Sequence, residues 1–167
     1  MISTYIFWAP LAAAVLHIFE EFVFPGGFKD WYKNYKPGIT KSISTRFLVL
    51  INLGLLIFCY DIGALQNSST SISVILWLGV MAMLAANGVW HIKAALKTKK
   101  YSPGVATGTI IYIPLAVYGF YYFISSGLAP IVPAIAAIIL GASYQLWSNL
   151  FHRFRSRKGV NKDLSNS

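Results

Sequence analysis

The chain has one cysteine, Cys59, only 5 acidic residues, and no basic residue before Lys29. A single cysteine excludes an intramolecular disulfide and any metal site built from several thiolates. In its apolar setting Cys59 reads as small packing. The lack of basic residues ahead of the first apolar stretch argues against a cleaved secretory leader, despite the small residues Ala12 to Ala14, so that stretch is read as retained. Charged residues make up 11% of the chain against 56% hydrophobic and 16% aromatic, which excludes an ordinary soluble domain of 167 residues.

What the sequence has instead is long apolar stretches. They run from about 4 to 24, 45 to 64, 72 to 96, 105 to 125 and 129 to 151, each at the ~20 residues a helix needs to cross a bilayer. The runs are continuous rather than alternating, which rules out a β-barrel, and backbone groups in lipid are then satisfied only in helices. The expected fold is an all-α integral membrane protein with five transmembrane helices in one domain over residues 1–152, followed by a basic, polar cytoplasmic tail over 153–167. The tail is too poor in apolar residues to fold alone and is expected to be disordered or in contact with lipid.

The net charge of +9 does not point to nucleic acid, because Lys and Arg lie in connections, span ends and the tail. Lys29, Lys33, Lys36, Lys41 and Arg46 separate the first two spans, Lys93, Lys97, Lys99 and Lys100 surround the end of the third, and Arg153, Arg155, Arg157, Lys158 and Lys162 follow the fifth. The opposite connections, Gln66 to Ser71 and Ser125 to Ala129, have neither Lys nor Arg. The positive-inside rule then places the N-terminus outside and the C-terminus in the cytoplasm, with anionic lipid as the expected partner of the basic side.

The first span stops at Pro25-Gly26-Gly27, a strong helix terminator. Over about 28–36, Phe28, Trp31, Tyr32 and Tyr35 recur at helical spacing opposite Lys29, Lys33 and Lys36. This predicts a short amphipathic interfacial helix with its aromatics toward acyl chains and its lysines toward headgroups. It serves as an anchor or, through Trp31, as a lid controlling lateral access. Pro114 is expected to kink the fourth span.

Within the first span stand His17, Glu20 and Glu21, related by i, i+3 and i+4 and so projecting from one helix face. Ionisable groups in a span are costly, which makes them functional candidates. His91 and Asn87 share a face near the end of the third span, and Asn52, Tyr112, Gln145, Asn149 and His152 lie toward the same end of their spans. Polar groups of several helices at one depth suggest a shared cavity.

His17-Ile18-Phe19-Glu20-Glu21, with Phe24-Pro25-Gly26-Gly27-Phe28 and Trp31 and more loosely Asn87 and His91, resembles the HXXEE family of small bacterial and archaeal membrane proteins. The resemblance implies a multi-pass protein of a prokaryotic cytoplasmic membrane and brings no reaction with it. A Glu-Glu with a distant His and Asn also resembles glutamate-dependent intramembrane proteases, but Pro25 stands where their arginine would be.

Three functions fit the residues. In a metal-dependent enzyme, His17, Glu20, Glu21, His91 and His152 would be ligands for zinc or non-haem iron, and an unligated carboxylate would be the general base. In a metal-free acid–base isomerase or hydratase of a lipid or isoprenoid, His17, Glu20, Glu21 and His91 would move protons. In a proton- or cation-coupled carrier or lipid binder, a homodimer would enlarge the five-span unit. In each, Asn52, Asn87, Tyr112, Gln145, Asn149 and Trp31 would contact an apolar substrate, with Asn87 also placed to orient His91.

Overall fold

The computed structural model describes residues 4–38, 43–65 and 71–165, with side chains described from Tyr5 to Arg155 within those ranges. Lys41, residues 66–70 and the side chains of Arg157, Lys158 and Lys162, which entered the orientation argument, lie outside what is described. The described chain is all-helical, and five of its helices are long and apolar enough to cross a membrane: Tyr5–Phe22, Thr45–Ala64, Ser71–Thr98, Val105–Ser125 and Ile131–Arg155.

Helix α1 opens as a tight turn, Thr4–Trp8, and continues as Ala9–Phe22. Pro10 sits at its start, where a missing N–H is harmless. Gly26 and Gly27 then take φ of 71° and 83°, and Gly26 N–H returns to Glu20 O at 3.1 Å. This left-handed turn folds the short helix α2, Phe28–Tyr35, back onto the bundle. Helix α3, Thr45–Ala64, is capped by Ser44, whose Oγ accepts from Phe47 N–H at 3.2 Å.

Helix α4, Ser71–Thr98, forms the spine. Half of its most apolar stretch is buried (50%), against 6% for Ile131–Arg155, so α4 lies centrally and the fifth span at the periphery. Its Trp77 lies fully buried over Gly119, edge-on to Phe123 at 5.0 Å, and donates through Nε1 to Ile6 O at 2.8 Å. Val74, Leu78, Met81 and Leu84 continue the core.

Helix α5, Val105–Ser125, is regular except for one wide π turn, Gly108–Tyr112. That turn immediately precedes Ile113–Ser125 with Pro114 in its first turn, so the proline is accommodated by widening the helix. The same turn packs against α4 backbone to backbone. A Cβ on Gly88 would lie 2.7 Å from Gly108 O, and one on Gly108 would lie 2.8 Å from Gly88 Cα. Only glycine at both positions permits this approach.

The fifth span is divided into α6, Ile131–Ala142, and α7, Tyr144–Ser165. The α7 backbone stays helical to Ser165, so of the two expectations for the tail, disorder or lipid contact, the first is not what the backbone shows. Lys and Arg are good helix formers, and a helix already nucleated extends at little cost.

The α2 expectation is corrected in a different way. The helix forms and segregates its aromatics as anticipated, but Tyr32 is buried and Phe28, Trp31 and Tyr35 are half-buried around Trp90 of α4. The apolar face meets protein, because the Gly26-Gly27 turn brings it down on the end of the bundle.

Candidate metal centre

His17, Glu20 and Glu21 point into the bundle, with 3%, 5% and 6% of their surfaces exposed. The two adjacent carboxylates go to different partners. Glu20 reaches the first turn of α5, where Oε1 accepts from Gly104 N–H and Ala106 N–H at 3.0 Å each and from the Tyr101 hydroxyl. Its Oε2 accepts from Thr107 N–H at 2.7 Å and from Thr107 Oγ1–H at 2.5 Å. Every one of these partners is a donor, so the carboxylate is ionised and its acceptor sites are full. It satisfies the orphan N–H groups of a helix N-terminus and meets the positive end of that helix's dipole. Burial, followed by the bond to Glu20, pushes the Tyr101 phenol up to about 12, which keeps it a donor.

Thr107 connects the two carboxylate environments. Its single hydroxyl hydrogen goes to Glu20, so at the 2.8 Å contact with His17 Nδ1 the threonine oxygen accepts and Nδ1 carries the proton. His17 Nε2 therefore holds a lone pair. It accepts from Asn87 Nδ2 at 3.1 Å, a bond that a metal ion on the same lone pair would displace, and Gln145 Nε2 donates to Asn87 Oδ1 at 3.4 Å, which fixes the amide's orientation. A histidine whose second nitrogen donates into a carboxylate-anchored network is the usual setting of a metal-ligating imidazole.

Glu21 faces two imidazoles. Its Oε1 lies 3.5 Å from His17 Nε2 and 3.2 Å from His91 Nε2. One ligand atom from each of His17, Glu21 and His91 can be chosen so that all three lie within 4.8 Å of one another. Two ligands on a tetrahedral ion at ordinary bond lengths sit about 3.3 Å apart, close to the two spacings from Glu21 Oε1.

The imidazole of His91 is fully buried, with Nδ1 3.0 Å from Ser102 Oγ, and Nε2 lies 3.2 Å from Glu21 Oε1 without an aligned hydrogen bond. A buried nitrogen left this way is costly unless something else occupies its lone-pair direction. Tyr112, also fully buried and tilted against His17 at 4.5 Å, likewise has an unpartnered hydroxyl.

Gly104 fixes the spacing of the pair. Its φ is +98°, and a Cβ there would come within 2.7 Å of His17 Cε1 and 2.8 Å of His91 Cε1. Any side chain at this position would push into the space where the two rings meet.

Of the residues selected from sequence, His17, Glu21, His91, Asn87, Tyr112 and Gln145 thus converge on one place. Asn87 serves His17 rather than His91. Glu20 is held one turn away by the α5 N-terminus and is not among the three convergent ligands. His152, counted as a ligand, packs instead on Tyr32 at 6.1 Å and Phe47 at 5.5 Å, on the far side of the α2 aromatics. Asn52 is engaged by its own helix through Nδ2 to Leu48 O at 2.9 Å, and Asn149 accepts from Lys36 Nζ at 2.7 Å. Trp31 stacks in the aromatic cluster, while Phe28 of the same helix reaches within 5.9 Å of the His91 ring.

Sequence reasoning missed the turn Tyr101-Ser102-Pro103-Gly104. Three of its residues enter the centre: Tyr101 binds Glu20, Ser102 binds His91, and Gly104 supports both rings. The available signal was a hydroxyl pair abutting Pro-Gly at the end of the bundle where the histidines cluster.

Among comparisons with known proteins, a family model described as a protein of unknown function with HXXEE motif matches residues 8–119. That range takes in α1 through most of α5, including His17, Glu20, Glu21, His91 and the Tyr101–Gly104 turn. No curated protein and no solved structure matches the chain.

Proposed function

The chain belongs to the HXXEE-motif family, and we propose that it is a multi-pass membrane enzyme using one divalent metal ion, held by His17, Glu21 and His91, on an apolar, lipid-like substrate. The observation that carries this reading is His91 Nε2, buried and without a hydrogen bond beside a carboxylate and a second imidazole. Zinc and non-haem iron suit such a nitrogen and oxygen donor set. An ion there would also offset the buried charge of Glu21.

Three protein ligands leave a coordination position open, as catalytic rather than structural sites do. When bound, the ion would act as a Lewis acid toward a polar group of the substrate. The protein's own contributions are separable. Glu20 and Thr107 hold His17 in the tautomer that presents Nε2, Ser102 orients His91, and the buried Tyr112 hydroxyl offers a hydrogen bond to substrate.

Membrane insertion is supported by the outer surface, where Val49, Ile57, Ile110, Val132, Ile139 and Leu140 are exposed on the span helices. Hydrocarbon is the medium that covers such a surface. By the positive-inside rule, the basic residues around α2 and the end of α4 favour a cytoplasmic setting for this end of the bundle, with the N-terminus outside. Helix α2 covers this end, so a lipophilic substrate would reach the centre laterally, past Phe28.

Elemental analysis of protein purified without a metal-binding tag tests the reading. About one zinc or iron per chain is expected in the wild type, and little in Glu21→Gln and His91→Gln variants that remain monodisperse. Wild-type protein that holds no ion as purified, and takes up none when zinc or ferrous iron is supplied, would overturn it and leave Glu21 and its imidazoles as a proton-sharing acid–base group.

A further inference from the structure

We propose that the same end of the bundle carries a second site, built on Lys36, Lys97 and Arg153 over an aromatic shelf, that binds the phosphate head group of an anionic membrane lipid. It is separate from the metal reading and stands whether or not an ion is held.

Lys36 is the centre of this site. It follows α2 directly, and its Nζ lies 5.5 Å from the Trp90 ring, 5.7 Å from Tyr32 and 5.9 Å from Tyr35. It donates to Asn149 Oδ1 at 2.7 Å, while Asn149 is itself held by Nδ2 donating to Gln145 O at 2.7 Å. A long, flexible side chain is therefore fixed by three rings and one oriented amide. Lys97 Nζ lies 5.9 Å from the same Tyr35 ring, so two ammonium groups adjoin one aromatic ring. Burial, then the charges of Arg153 and Lys97, hold the Lys36 amine below its ordinary range.

Charge of one sign gathered this way attracts an anion, and the acids among the described side chains are engaged or placed elsewhere. Glu20 is held by the start of α5, Glu21 faces His17 and His91, Asp30 bridges Lys33 at 3.0 Å, and Asp61 lies at the opposite end of α3 from Thr45. Among the described residues no carboxylate pairs with Lys36 or Lys97.

Lipid phosphates are the concentrated anions at the depth of an interfacial helix. Lys36 and Lys97, with Arg153 one turn beyond Asn149 on α7, provide the donors that a phosphate accepts. Tyr35, Trp90 and Trp31 supply the amphipathic surface that lies against glycerol and the upper acyl chain.

The test titrates the full-length chain in neutral detergent with short-chain phosphatidylglycerol, phosphatidylcholine or inorganic phosphate, following tryptophan fluorescence and lipid adducts in native mass spectrometry. Phosphatidylglycerol should bind saturably and phosphatidylcholine much more weakly. Lys36→Gln should weaken the phosphatidylglycerol interaction at least about fivefold, Lys36→Arg should retain it, and Lys93→Gln, an equal loss of charge on exposed α4 surface, should leave it unchanged. Equal binding of the two lipids, or equal losses in Lys36→Gln and Lys93→Gln, would overturn the site. Saturable, Lys36-dependent binding of inorganic phosphate as tight as that of the lipid would overturn its assignment to a lipid.

Discussion

Glu20 and Glu21 are consecutive in sequence and equally buried, yet the regions around them are built on opposite principles. Around Glu20 every contact is a donor supplied by the start of α5 and the turn before it, so the negative charge is neutralised by fixed dipoles. Around Glu21 the neighbours are two imidazoles, one of them with an unused nitrogen, and neutralisation requires a mobile cation or proton. The lesson is that a pair of buried acids need not share a job. One fastens helices together, and the other faces two imidazoles in surroundings left incomplete.

The sharpest way to break this contrast is to remove each acid in turn. Glu20→Ala strands three backbone N–H groups at a buried helix start and should cost about 3–5 kcal/mol of stability. Glu21→Gln in metal-free protein removes a buried charge with incomplete partners and should change stability by no more than about 1 kcal/mol, in either direction. Denaturant unfolding of the two variants in detergent micelles, after stripping with chelator, measures both numbers. Comparable losses would mean that the two acids are equally structural, and the division of labour would fall.

Thr107 is where the two regions touch, and it should give intermediate effects on both readouts. Thr107→Val keeps the shape but loses the hydroxyl between Glu20 and His17 Nδ1. Stability should fall by about 1–2 kcal/mol and zinc affinity by about 10–100-fold, because His17 is no longer held in the required tautomer. Thr107→Ser should restore most of the affinity. A competition titration against a fluorescent chelator reads the change, and an unaltered affinity in the valine variant would show that the link between the regions carries nothing.

The sequence was informative where a periodicity or a costly residue type carries its own explanation. The five long helices follow from apolar run length, the α1 stop from Pro25-Gly26-Gly27, and the inward face of His17, Glu20 and Glu21 from the cost of placing them in hydrocarbon. Spacing alone could not separate Glu20 from Glu21, since both fall on the same helix face and only the position of the α5 N-terminus, 84 residues on at Gly104, decides between them. The α2 pattern revealed an apolar face but not what covers it, because the same aromatics satisfy acyl chains or Trp90 equally well. The Gly88–Gly108 crossing, which sets the distance between α4 and α5, leaves no periodic trace, because close backbone approach depends on two lone glycines far apart in the chain.

His152 offers the smallest expected effect and the finest test of where the Glu21 region ends. It lies in a polar stripe with Gln145 and Asn149, but a stripe on α7 is long enough for its members to serve different neighbours. Gln145 reaches Asn87 and so the His17 imidazole, Asn149 serves Lys36, and His152 packs on Tyr32 and Phe47. Tyr32 and Phe28 stack at 5.3 Å, and Phe28 in turn lies against His91. The aromatics of α2 therefore stand between the two histidines. His152→Ala should lower stability by about 1 kcal/mol through lost ring contacts and leave metal stoichiometry unchanged, with affinity within about twofold of wild type. Elemental analysis beside the chelator titration measures both, and a loss of bound ion as complete as that of His91→Gln would mean that α2 moves aside when the ion binds and that the centre draws its fourth ligand from α7.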